Sequence, residues 1–295
     1  MLRMEANFEG DWVTHLRKLL ILAWGEDQIS RVGDEQIPVF FFDTFRRRIS
    51  PTPRVVKVAD DFVCPVDKEA GWELLKRNVE QGLDLTPHFS EGHLTLLNTD
   101  GLLNEWGVHH FHLGTERWPK KPKLIKRTGP LVCAYVTEDT FYAIQVLPHR
   151  QWARQEIVES LHRNWPEAIE QFRIFGIPAP TISERERITL RDKTFSAPVS
   201  VSDGTVYGTL CSPVSCAGTS IEAVRRSDMW RNEILGLQIG LENKLREMEP
   251  TLKAYGHTEG KPVKAELRIN DDGYFAYLPE LQLTLNITLV DSADG

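Results

Sequence analysis

The sequence predicts an α+β protein: small antiparallel sheets with flanking helices and one long helix in the C-terminal half. Three features carry that expectation. Short strand-like runs are separated by turn residues, amphipathic stretches lie between them, and a periodic apolar seam runs unbroken from Ser220 to Glu249. A chain of 295 residues, 41% hydrophobic and 26% charged, has ordinary globular composition and enough length for a real core.

The elements follow in order. Trp12, Leu16, Leu19, Leu20 and Ala23 recur at helical spacing, so Trp12 to Trp24 is expected to form a helix. Pro38 to Phe45 and Arg54 to Ala59 read as strands, divided by the turn-like Ser50-Pro51-Thr52-Pro53. Asp67 to Gln81 reads as a helix with Trp72, Leu75 and Val79 on one face, stopped by Gly82. Val108 to Leu113 reads as a strand, and Leu131–Thr137 with Thr140–Leu147 as a hairpin tipped by Glu138-Asp139. A helix is expected from Gln151 to Asn164, then a second hairpin, Ile188–Val201 with Thr205–Cys211, turning at Ser202-Asp203-Gly204. Thr219-Ser220-Ile221-Glu222 has capping-box spacing and opens the long helix. Val263–Asn270, Tyr274–Leu278 and Leu281–Val290 read as closing strands. With Pro178 and Pro180 as punctuation, three regions are expected: an N-terminal α+β region (1–99), a β-β-β-α unit (100–176) and a hairpin, long-helix and strand region (177–295).

No apolar run approaches the roughly 20 residues that span a bilayer, and the N-terminus has no apolar signal core. A cytoplasmic protein without membrane association is the expectation. The four cysteines, Cys64, Cys133, Cys211 and Cys216, make no CxxC pair; Cys211 and Cys216 alone fall short of a structural zinc site. The net charge of −7 argues against nucleic-acid binding by the whole surface. Two local runs, Arg46-Arg47-Arg48 and Lys120, Lys121, Lys123, Lys126 and Arg127, can act either as phosphate-binding patches or as solvated loops.

The candidate chemistry lies in Trp106-Gly107-Val108-His109-His110-Phe111-His112-Leu113-Gly114, which holds three of nine histidines. In a strand, His110 and His112 project to one side with Val108, while His109 turns the other way with Phe111 and Leu113. Imidazole gives and takes protons near neutrality. RNA cleavage needs a base for the 2′-hydroxyl, an acid for the leaving oxygen and cations for the phosphate charge. His110, His112 and His149 are the candidates for proton transfer. Arg117, Arg150, Arg154, Lys120, Lys121 and Lys123 are those for phosphate, and Tyr135 or Tyr142 those for orienting a substrate group.

Part of this pattern resembles the RelE and HigB class of toxin ribonucleases. Arg117, then Leu131-Val132-Cys133-Ala134-Tyr135-Val136, then Phe141-Tyr142-Ala143-Ile144-Gln145-Val146-Leu147-Pro148-His149 resemble the way those toxins close their sheet, within residues 108–165. The resemblance implies metal-independent RNA cleavage, with Arg117 and His149 at the family's usual kinds of position. The chain differs from those toxins in its length, its acidity, its His-His-x-His strand and a helix that follows the hairpin.

Two alternatives stay open. His110 and His112 could bind a divalent metal in a hydrolase, joined by His149, His88, His93 or an acid. Or the protein is non-catalytic, one half of a bacterial two-protein system, and contacts a partner or a second copy through the helix of residues 220–249.

Overall fold

The computed structural model describes residues 2–98, 100–149, 151–178, 181–211 and 219–288. Of the residues singled out above, Arg150, Pro180, Cys216 and Val290 lie outside them. The first third of the chain carries β1 (Met4–Ala6), α1 (Phe8–Trp24), α2 (Glu26–Ile29), α3 (Ile37–Arg47), β2 (Val55–Val58) and α4 (Glu69–Glu80). The middle carries α5 (Gly101–Trp106), β3 (Val108–His112), β4 (Arg117–Trp118), β5 (Lys121–Ile125), β6 (Pro130–Val136), β7 (Thr140–Pro148), α6 (Glu156–Asn164), α7 (Pro166–Ile169) and β8 (Arg173–Ile174). The rest carries α8 (Glu184–Asp192), β9 (Val199–Ser200), β10 (Val206–Tyr207), α9 (Ile221–Glu247), α10 (Glu249–Ala254), β11 (Val263–Asn270), β12 (Gly273–Leu278) and β13 (Leu283–Ile287). The class is α+β, and no described helix is long and apolar enough to cross a membrane.

Two compact units emerge. Unit 1 joins Met1–Phe42 to Ala223–Gly295, and unit 2 is Asp43–Glu222. The sequence reading sets divisions at 99/100 and, at the prolines, 176/177. The chain instead parts inside α3 and near the start of α9, so helices run through both divisions.

Unit 1 is a sheet in the order β1-β11-β12-β13, with β1 parallel to β11 and the others antiparallel. Val263, Ala265 and Leu267 alternate inward from β11, while Lys264, Glu266 and Arg268 face solvent. The apolar seam of α9 (Ile234, Leu237, Leu241, Leu245) is buried. The flanks of that helix are held within unit 1: Trp230 faces Tyr274 at 6.1 Å, Arg231 pairs with Glu9 at 2.7 Å, and the Gln238 carboxamide accepts from the Phe8 N–H at 2.9 Å.

Unit 2 is built on a sheet in the order β2-β7-β6-β3, with β2 parallel to β7 and β3 at one edge. Its central strands are apolar on both faces because both faces are covered. On one side Val108, Cys133, Tyr135, Tyr142, Ile144 and Leu147 pack under Ile157, Val158 and Leu161 of α6. On the other, Phe111, Leu113, Val132, Ala134, Phe141 and Ala143 pack against Trp72, Leu75 and Val79 of α4. Gly71 permits the approach of α4: a Cβ there would collide with the backbone carbonyl of Leu113.

Several expectations are corrected. Pro38–Phe45 is helical, within α3. A short apolar run suits either element, and here Ile37, Thr44 and Arg47 are buried at helical spacing, with Pro38 in the first turn. Ile188–Val201 is mostly not a strand: Ser183 and Glu186 form a reciprocal capping box that starts α8, and only Val199–Ser200 pairs with β10. The basic run after the histidines includes a hairpin, β4 and β5. The helix expected from Gln151 begins at Glu156, leaving 151–155 as a loop. The sheets are also not wholly antiparallel, since each four-stranded sheet has one parallel pair.

Candidate functional site

Local geometry builds the site from two glycine- and aspartate-governed turns. Asp100 caps α5, its Oδ1 accepting from the N–H groups of Leu102 and Leu103 at 3.1 Å each. Gly107, left-handed at φ +65°, ends that helix and turns the chain into β3. Alternation then sends His110 and His112 to the α6 side with Val108, and Phe111 to the α4 side.

His149 reaches the same side through a bulge. Tyr142 and Ile144 of β7 face α6, but the register shifts at Cys133/Ala134, so the next residue facing α6 is Leu147. His149, two residues on, therefore projects toward His112, with ring centroids 5.8 Å apart. The following loop brings Trp152 over the cluster. Its indole stacks on His110 at 4.9 Å and meets His149 edge-on at 5.7 Å. Two imidazoles thus flank one indole, and the third, His112, lies beside His149.

Their environments differ. His112 is 1% exposed, and its Nδ1 accepts from the Thr128 N–H at 3.1 Å. Its proton is therefore on Nε2, which has no hydrogen-bond partner among the described residues. Burial, with help from Arg127, His110 and His149, pushes its pKa down to about 3. It is a neutral, fixed N–H donor. His110, whose side chain is 15% exposed, has Nδ1 3.5 Å from Asp100 Oδ2, an ion-pair distance and too long for a strong hydrogen bond. His149 is exposed.

His88, His93 and His109 sit on the α4 side. His109 lies 5.9 Å from the Phe89 ring, on which His93 stacks at 3.8 Å; burial pushes both pKa values down to about 3. His88 accepts from Asn78 Nδ2 at Nε2 (3.1 Å), so its Nδ1–H donates to the His112 carbonyl at 2.9 Å. Its pKa is lowered by burial. These are structural histidines.

The other expected site residues do not join the cluster by any described contact. Arg117 is exposed and donates to the Lys123 carbonyl at 3.3 Å. Lys120 and Lys123 are exposed, and Lys121 pairs with Glu91 and lies 5.8 Å over the Trp118 ring. Arg154 is committed to Gln151 (3.0 Å) and Glu156 (3.4 Å). Tyr135 lies beside Gly107 and 6.2 Å from the Tyr142 ring, its phenol pushed up to about 12 by burial. Arg46 and Arg47 are not a solvent patch. Arg46 pairs with Asp43 and donates to Asn104, and Arg47 donates to the carbonyls of Leu96 and Thr95.

Four residues escaped sequence reasoning: Asp100, Trp152, Arg187 and Arg191. Arg187 Nη1 and Arg191 Nε both donate to Glu105 at 2.5 Å, forming a buried triad beside the Trp106 ring. Arg191 Nη1 also donates to the Trp152 carbonyl at 2.5 Å. The signal was present in the capping box at Ser183, which sets Arg187 and Arg191 one turn apart on one helix face.

Among the described residues, no group of three or more His, Cys, Asp or Glu is placed to hold a metal ion. No protein-family model matches the chain, and neither does any curated protein or solved structure.

Proposed function

We propose that this protein is a phosphodiester-cleaving enzyme, a ribonuclease working by histidine acid–base chemistry without a metal. The observation that supports it is the contact of His110 and His149 with Trp152, with His112 beside His149 and each imidazole differently exposed. Chemistry of this kind needs groups that differ in protonation and exposure.

His110, faced by Asp100 at Nδ1, offers Nε2 as the base that takes the 2′-hydroxyl proton. The 2′-oxygen then bonds to phosphorus and the bond to the 5′-oxygen breaks. His149, exposed at the rim, gives its proton to that leaving oxygen. The products are a 2′,3′-cyclic phosphate and a 5′-hydroxyl. His112, 1% exposed with its Nε2–H buried, backs His149 as a neutral imidazole, its ring 5.8 Å away. Trp152 offers an indole face on which a base can stack.

The test is cleavage of a fluorophore–quencher RNA by untagged protein in excess chelator, with products separated by 3′-end chemistry. His110→Ala and His149→Ala should each lower the rate by about 100-fold or more, as loss of a proton-transfer group does, with unchanged circular dichroism. A substrate with 2′-deoxyribose at the cleaved position should resist. Wild-type rates in both variants, or equal cleavage of the deoxy substrate, would falsify the assignment.

A further inference from the structure

Helix α9 carries two seams. The one that the sequence marks, with Ile234, Leu237, Leu241 and Leu245, is spent inside unit 1. The other is open. Met229, Asn232, Gly236, Ile239, Asn243 and Arg246 follow steps of three and four along the opposite side of the helix, and all six are exposed. Ile239 is 56% exposed, and Leu235 beside it 45%.

The flank of this second seam is hollow. Gly236 and Gly240 line a groove of about 290 Å³ between α9 and β13, walled by Asn286 and Ile287, with Glu233 and Lys244 as the first and last helix residues along it. A Cβ at either glycine would meet nothing within 4 Å. Packing inside the chain therefore gives no reason for either glycine, and each weakens the helix interior relative to alanine. What such a pair provides, one turn apart, is room for something outside the chain to come close.

The face is complementary to itself. Let a second α9 lie antiparallel on the first, about a two-fold axis passing between Leu237 and Gln238. Gly236 then faces Ile239 of the second copy, Asn232 faces its Asn243, and Met229 faces the aliphatic stem of its Arg246, each layer being made twice. The charges agree with this register. Asp228 comes beside Arg246 of the second copy, and Glu233 beside its Lys244. A parallel pair would set each of these four charges against its own kind, and hole against hole at Gly236.

We propose that this face of α9 is a homodimer interface, on which a second copy of the chain packs antiparallel with its Ile239 over Gly236. The dimer is independent of the ribonuclease reading, because every residue it uses belongs to unit 1. A contact about 26 Å long on one helix is small for a permanent interface, so association in the micromolar range is expected.

Sedimentation equilibrium of the intact chain from about 1 to 300 μM tests this, with a shift from monomer to dimer across that range. Gly236→Leu fills open space with a better helix former, so its Tm should hold or rise while dimerisation weakens by about tenfold or more. Ile239→Asp should weaken it by as much, while Lys264→Ala, on the solvent face of β11, should change nothing. Glu233→Lys and Lys244→Glu should each weaken the dimer, and the two together in one chain should restore it, which only the antiparallel register allows. A wild-type chain that stays monomeric throughout overturns the proposal and leaves the face to a different partner. Dimers that survive both Gly236→Leu and Ile239→Asp lie elsewhere on the molecule and overturn it too, as does a charge exchange that fails to restore association.

Discussion

Replacing Glu105 by alanine should unfold unit 2 more readily than any surface charge deletion. The side chains of Glu105 and Arg187 are 2% and 3% exposed, and the carboxylate accepts from Arg187, Arg191 and the Ala197 N–H. Without it, two guanidinium groups remain out of water with no counter-charge among their direct partners. Deleting one member of a buried ionic set costs about 3–5 kcal/mol, most of it the desolvation left uncompensated. With a urea m-value of about 2–3 kcal/mol/M, the midpoint should fall by about 1–2 M. Far-UV circular dichroism of the intact chain reads the transition, and the near-ultraviolet signal of Trp106, stacked under both arginines, follows it locally. Asp60→Ala is the internal control, since Asp60 is an exposed carboxylate paired with Arg163, and its midpoint should hardly move. A Glu105→Ala midpoint within about 0.3 M of wild type would mean that the triad behaves as a solvated pair, contrary to its burial.

Acid should destabilise unit 2 through its neutral histidines. His93, His109 and His112 are pushed down to about 3 from an ordinary 6.5, so the unfolded chain binds more protons between those values. Stability is therefore intact above about pH 6.5 and is lost as pH falls toward 3; a urea midpoint that stays level from pH 7 to pH 4 would contradict this. Gly71→Ala should cost about 2 kcal/mol or more, because its methyl meets the Leu113 carbonyl and α4 must retreat. A melting temperature equal to wild type would show that α4 has slack. Trp152→Ala should raise the KM for RNA at least as much as it lowers kcat, since the indole supplies a stacking surface and no proton; an unchanged KM would remove it from substrate contact.

The local half of the site was legible in the residues. Alternation alone put His110 and His112 on one side and His109 on the other, as the packing of Val108 and Phe111 requires. His149 was placed with them only as a candidate, because its side depends on a bulge between two apolar strands that carry no turn residue to mark it. Asp100 was not singled out: its capping of α5 is local, but its second oxygen lies 3.5 Å from His110 Nδ1, a pairing between separate elements that composition cannot express. The pull of β-propensity won wrongly at Phe40-Phe41-Phe42, where an apolar run fits a buried helix equally well. It won wrongly again at Ile188, despite the capping box five residues earlier.

The pairing of β1 with β11 sets Met4 opposite Val263, so the sheet of unit 1 cannot be completed until β11 has been made. During synthesis the first helix emerges with Phe8, Trp12, Leu16 and Leu20 uncovered, while every residue of unit 2 is delivered before the strand that will cover them. The entropic charge for joining such distant ends rises only with the logarithm of the intervening length, so the ring closes readily once both ends are present. Until then α1 presents a sticky amphipathic face. Ribosome-stalled or C-terminally clipped forms would therefore keep the residues of the histidine centre yet behave as chaperone clients.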